Sequence, residues 1–117
     1  MDLESAISKH AEWKVKFRAA IGKKSQMDIG LISNIHQCEI GCWLDHEGKQ
    51  QNAHLPEFAH LIDAHKQFHV AAAKVASLIN IGQYVAAESM LNGPVYTGVS
   101  RQIATGIMKL KKSVVNV

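Results

Sequence analysis

Apolar residues recur at helical spacing along most of the chain, and polar breaks divide them into segments. From about residue 2 to 22 the stripe is Leu3, Ala6, Ile7, Trp13, Phe17, Ala20 and Ile21, which predicts an amphipathic helix with His10 in the middle of its apolar face. Gly22 is placed to follow the last turn, and Ser25 or Asp28 can cap a second element that runs to about Asn34. After a break at 34–37, Cys38 to Leu44 reads as a short helix and the polar stretch from Asp45 to Asn52 as a loop. Pro56 opens a long helix to about Asn80, with an apolar face of Phe58, Leu61, Ile62, Phe68, Ala72, Val75, Ala76 and Ile79, interrupted at its centre by His65 and His69. Gly82 closes it, a short helix covers about 83–91, and Asn92-Gly93-Pro94 forms a turn into a last helix striped by Val99, Ile103, Ile107, Leu110 and Val114.

No alternating strand pattern, internal repeat or low-complexity linker appears. The expected fold is therefore all-α: an antiparallel four-helix bundle with one or two short additional helices and a metal site in its core. A length of 117 residues with 47% hydrophobic content suits one domain spanning 1–117.

Charge narrows the function classes. The net charge is only +3 and the pI about 9.0, and Lys14, Lys16, Arg18, Lys23, Lys24, Lys109, Lys111 and Lys112 read as solvated helix faces, so a nucleic-acid partner is not expected. No run approaches the length of a membrane span, and the start Met-Asp-Leu-Glu-Ser carries acids where a signal peptide is basic, so a cytoplasmic location is expected. The two cysteines, Cys38 and Cys42, are then expected as reduced thiols, with Cys42 a buried structural thiol because Gly41 and Trp43 suggest a face packed on helices; a disulfide or second sulfur partner under oxidation is the lesser alternative.

The candidate chemistry lies in the polar residues that interrupt apolar faces. His65 and His69 stand four apart on one helix face, a spacing at which two imidazoles grip one metal ion. A lone histidine in a core is usually satisfied by a hydrogen bond, but three such histidines and a thiol are more simply satisfied by one zinc ion held by His10, Cys38, His65 and His69. His60 points about 180° away from His69 and, like His36, His46 and His54, reads as a surface histidine.

The string Cys38-x-x-Gly41-x-Trp43-Leu44, preceded by helical His10 with Trp13 three residues on and followed by His65-x-x-x-His69, resembles the bacterial chemoreceptor zinc-binding (CZB) domain family. The resemblance extends over nearly the whole chain and implies a zinc ion held by three histidines and one cysteine, matching His10, Cys38, His65 and His69. It also implies a homodimeric helical bundle attached to a methyl-accepting chemoreceptor signalling region or to a diguanylate cyclase, responding to zinc or to hypochlorite-type oxidants. Between Gly41 and Trp43 the family often carries a basic or polar residue; here it is Cys42.

Three imidazoles and a thiolate fill a tetrahedral shell and leave no open position, so the expected protein is not an enzyme. Lys66, Gln67 and Phe68 between the paired histidines offer no general base for hydrolysis, and Glu57 and Asp63, the acids of the long helix, lie off its histidine face. Zinc-held Cys38 is the member open to oxidation, which makes it the expected redox-reactive residue. Two functions are compatible with this site: a sensor that responds to zinc loss or thiol oxidation, and a purely structural zinc module stabilising a homodimer. Val15, apolar beside the inward stripe of the first helix, adds modest support for a dimer.

Overall fold

The computed structural model describes residues 3–36 and 38–115, with side chains throughout except at Glu39 and at 113–115, so Val114 of the expected stripe lies outside the described side chains. Seven α-helices make up the described chain: α1 (Leu3–Lys23), α2 (Ile29–Ser33), α3 (Glu39–Asp45), α4 (Glu47–Asn52), α5 (Pro56–Asn80), α6 (Tyr84–Asn92) and α7 (Pro94–Val115). Among the described residues there is no strand, in keeping with the all-α bundle expected.

The helix ends follow local chemistry. Asp28 caps α2 by accepting a hydrogen bond from the Leu31 N–H at 3.0 Å. Gly82 ends α5 at φ +79°, where the Gly82 and Gln83 N–H groups return to the Ile79 and Leu78 carbonyls. At the end of α1 the same left-handed position falls not on Gly22, which remains helical, but on Lys24 at φ 53°, with Lys24 N–H bonded to Ile21 and Ser25 N–H to Ala20. The Lys24 ammonium lies 5.9 Å from the Tyr84 ring centroid, a contact that helps to hold a residue otherwise disfavoured there.

The stretch 45–52, expected as a loop, is instead largely helical: Asp45 ends α3, His46 stands between the helices and Glu47–Asn52 form α4. Its composition is polar throughout, yet Gly48 and Asn52 are buried, and a Cβ on Gly48 would stand 2.7 Å from the Trp43 ring. Packing of that indole on a bare backbone overrides the polar composition.

The core centres on α5, whose expected apolar face is buried apart from half-buried Ile62. Phe17 of α1, Phe68 of α5 and Tyr96 of α7 meet at its middle, with Tyr96 centroids 6.1 Å from Phe17 and 5.8 Å from Phe68. Glu4 pairs with Lys111 and Phe17 meets Tyr96, so α7 runs antiparallel to α1; Gly106 against Leu61 and Tyr96 against Phe68 make it antiparallel to α5 as well. Consequently α1 and α5 run side by side in one direction, and α2, α3 and α4 form the crossover between them. Asn80 locks the near end of that crossover by accepting from Met27 N–H and donating to Met27 carbonyl, both at 2.8 Å.

Gly41 is the tightest point of the crossover. A Cβ there would lie 1.7 Å from the Ile35 carbonyl oxygen and 3.2 Å from the Cys38 sulfur. Gly41→Ala is therefore expected to displace the 35–38 turn and lower stability by about 1–3 kcal/mol. Gly22→Ala, at an exposed helical position with nothing within 4 Å, should raise stability by about 0.4–1 kcal/mol. Urea denaturation of the two variants beside the parent chain measures both.

Candidate metal centre

His10 comes from the middle of α1, His65 and His69 from adjacent turns of α5, and Cys38 from the N-terminal cap of α3. The three histidines interrupt apolar stripes and are carried inward with them, at 4%, 2% and 1% exposure for His10, His65 and His69. Cys38 is half-buried, its extended backbone (φ −77°, ψ 157°) turning the sulfur toward α5 as the helix begins.

One potential ligand atom from each of the four residues lies within 4.8 Å of all the others. The Cys38 Sγ is 3.1 Å from His65 Nε2 and 3.7 Å from His69 Nε2, and the two Nε2 atoms are 3.0 Å apart. Zinc with ordinary bond lengths to nitrogen and sulfur spaces tetrahedral donors about 3.3–3.7 Å apart, so these atoms match its shell to within small side-chain movements.

The hydrogen bonds behind the donors orient them. His10 Nδ1 lies 2.9 Å from the Ala6 carbonyl and His69 Nδ1 lies 2.7 Å from the Ile32 carbonyl. A carbonyl only accepts, so each Nδ1 carries the proton and each Nε2 presents its lone pair to the cluster. His10 Nε2 is buried without a hydrogen-bond partner, an orphaned acceptor aimed where a cation would stand. Cys38 Sγ accepts from the Gly41 N–H at 3.3 Å. Trp13 and Phe68 wall the cluster, with the His10 ring 6.1 Å and 5.1 Å from their respective centroids.

Burial sets the charge states. Desolvation holds His10, His65 and His69 below the ordinary imidazole range, His65 down to about 3 with the charges of His69 and His10 adding to the effect. Burial pushes the Cys38 thiol up, against the pull of the Gly41 N–H. The three imidazoles are thus neutral at neutral pH, the form that binds metal, and a bound dication would supply the charge that converts Cys38 to thiolate.

Three openings reach residues of the cluster, one of them a groove of about 740 Å³ along α5 that touches His69 beside Ile35, Lys66 and Val70. A groove of about 550 Å³ between α1 and α2, lined by Trp13, Phe17, Met27, Leu31 and Ile32, extends to Cys38 and His69. A smaller cavity of about 150 Å³ beside His10, Trp13 and Ile40 also touches Cys38.

The structure thus brings together all four residues singled out in the sequence and leaves His36, His46, His54 and His60 exposed, outside the cluster. It corrects the expectation for Cys42, which is exposed rather than buried. The inward face of α3 is Ile40, Gly41 and Leu44, and Cys42 falls beside it, donating through sulfur to the His36 carbonyl at 2.9 Å. The carbonyls of Ala6 and Ile32 and the N–H of Gly41 were invisible in the sequence, being backbone groups; the Asp28 cap that starts α2 was the one hint that Ile32 would be ordered.

The pH dependence of the zinc-free protein follows from the buried imidazoles. In the unfolded chain His65 takes up a proton near its ordinary 6.5, whereas in the fold it does so only near 3, so the unfolded state binds more protons between those values. Stability is therefore complete above about pH 6.5 and falls as pH drops toward 3. Urea midpoints of metal-free protein across that range should show the decline, and His65→Ala should flatten it.

Comparison with protein families gives a match to the model described as the chemoreceptor zinc-binding domain, over residues 10–76. That span contains all four cluster residues. Neither curated proteins nor solved structures gave a match.

Proposed function

Because the chain belongs to the chemoreceptor zinc-binding domain family, we propose that it is a sensory module of bacterial signal transduction in which His10, Cys38, His65 and His69 hold one zinc ion. The observation that carries the ligand assignment is the convergence of their donor atoms within 4.8 Å, with His10 Nε2 buried and otherwise unpartnered. Zinc would supply one cationic centre satisfying four donors at once, with a net charge of +1 for three neutral imidazoles and a thiolate. The family is a regulatory rather than a catalytic one, and four protein ligands leave no position for a substrate, which supports a regulatory role.

The signal is zinc availability or oxidation of the Cys38 ligand by hypochlorite-type oxidants. Cys38 sits at the rim of the cluster, half-buried and lining two of the openings, whereas the imidazoles are at most 4% exposed even where His10 and His69 border an opening. Its loss as a ligand would free the start of α3, a seven-residue helix, while α5 with its aromatic and aliphatic core remains packed. The chain's own residues thus divide into a rigid part, α1, α5 and α7, and a crossover pinned to it at Cys38, at His69–Ile32 and at Asn80–Met27. Release of that crossover is the change an attached chemoreceptor signalling region or diguanylate cyclase would read.

A structural zinc module in a homodimer is the second reading, favoured by the exposed apolar residues Val15 on α1 and Leu31 on α2, at 66% and 56% exposure. Here zinc would hold the crossover in the shape a second copy docks against. The two readings separate in Cys38→Ala. A sensor loses tight zinc binding and its oxidant response but stays helical and keeps its oligomeric state, whereas a structural module unfolds or dissociates.

Elemental analysis, circular dichroism and sedimentation of Cys38→Ala beside the parent chain decide between them. The expected result is about one zinc per parent chain, zinc depleted in the variant, and a helical content and mass unchanged. For His10→Ala, whose ring also packs on Trp13 and Phe68, zinc loss should come with a destabilisation of about 1–3 kcal/mol in urea.

A further inference from the structure

Cys42 is not a ligand in this reading, yet its placement is specific. It stands one helical turn from Cys38, with the Cys42 N–H bonded to the Cys38 carbonyl at 3.0 Å. Its sulfur donates to the His36 carbonyl at 2.9 Å while the Cys38 sulfur lies 3.7 Å from the Ile35 carbonyl, so both thiols lean on adjacent peptide groups of the same turn. Gly41 makes that stacking possible, since any side chain there would collide with Ile35. The two sulfurs differ in access: Cys42 is exposed and Cys38 half-buried.

We propose that Cys42 is the resolving thiol for Cys38, so that oxidation of the centre ends in a Cys38–Cys42 disulfide. This rests on the reading of Cys38 as a zinc ligand open to oxidation. Helical geometry sets Cα atoms four residues apart at about 6 Å, inside the range that disulfides span. A disulfide needs Cβ atoms about 3.5–4.5 Å apart, so Cys38, whose backbone is extended rather than helical, must re-orient to meet Cys42. Cys38 has the freedom to supply this movement, because as the cap residue it has extended backbone and is no longer drawn toward α5 once its sulfur is oxidised.

The chemistry balances with hypochlorous acid as the oxidant. The Cys38 thiolate attacks its chlorine and hydroxide leaves; water then replaces chloride on sulfur, giving the sulfenic acid and hydrochloric acid. The Cys42 thiol attacks that sulfenic sulfur, the S–S bond forms and water departs. In sum a thiolate, a thiol and hypochlorous acid become a disulfide, chloride and water, two electrons passing from the sulfurs to chlorine. A disulfide cannot serve as the thiolate ligand, and it is restored by a dithiol, whereas a sulfenic acid left alone proceeds to sulfinic and sulfonic acids that are not. Cys42 would make the response of this chain resettable.

Zinc-loaded full-length chain, parent and Cys42→Ser, is treated with one equivalent of hypochlorous acid, alkylated with N-ethylmaleimide and weighed intact, with released zinc read by a chromogenic chelator. Dithiothreitol and fresh zinc follow. The expected parent product is about 2 Da lighter than the reduced chain, takes no alkylation, has lost its zinc, and regains it after reduction. Cys42→Ser should bind zinc as the parent does, gain one oxygen on Cys38 with the first equivalent and two or three once two further equivalents are added, and then regain little zinc. Zinc release with Cys42 still alkylatable, or with disulfide-linked chain pairs, overturns the resolving role and leaves the redox reading standing. Zinc retained with Cys38 unmodified overturns the redox reading, and this inference with it.

Discussion

Four polar donors converging on one point inside an apolar core is the constraint around which this molecule is arranged. Each imidazole or thiol buried without a partner costs about 1–3 kcal/mol, and three imidazoles cannot share the core as cations. Hydrogen bonds to Ala6 and Ile32 settle one nitrogen on His10 and on His69 and leave the other facing the cluster. His10 Nε2 is buried and has no hydrogen-bond partner in the fold. A single zinc held there would replace several separate penalties, because α1, α5 and the start of α3 meet at that point.

The bundle topology follows from that demand. With α7 antiparallel to both α1 and α5, the latter two run in the same direction and the chain must return between them. The return is made of short helices tied down by polar links rather than by a large apolar face: Asn80 to Met27, His69 to Ile32, and Cys38 to the cluster. Short, lightly packed elements are where local unfolding is easiest, while α5 with its buried aromatic and aliphatic face is where it is hardest. The four converging donors lie where those two parts join. His69 belongs to both, gripping the cluster through Nε2 and α2 through Nδ1, so occupancy of the centre and docking of the crossover are mechanically linked.

Much of this was legible in the sequence because helical periodicity carries distance information within an element. The stripes placed His10, His65 and His69 on inward faces, and their neighbours Phe17, Phe68, Ile103, Ile107 and Leu110 are buried as the period demanded. What could not be read is what depends on meetings between elements. Polarity alone made 45–52 a loop, but Trp43 over Gly48 turned part of it into helix. Cys42 was expected inside because Gly41 and Trp43 beside it suggested a face packed on helices, yet the inward face of α3 is Ile40, Gly41 and Leu44, which leaves Cys42 in solvent. Tyr96 was passed over in the last helix, although its ring closes the aromatic core and its hydroxyl finds no partner there. The left-handed residue after α1 fell on a lysine because Tyr84, sixty residues later, offers its ring to the ammonium.

The central claim is that three imidazoles and one thiolate enclose a zinc ion, and zinc K-edge X-ray absorption on the purified chain tests it most directly. The account predicts three nitrogen scatterers at about 2.0–2.1 Å with the outer-shell pattern of imidazole, one sulfur at about 2.3 Å, and four-coordinate geometry. Cys38→Ala reloaded with excess zinc should show no sulfur shell. A zinc shell without sulfur in the parent chain, or one with five or six oxygen and nitrogen neighbours, would contradict it.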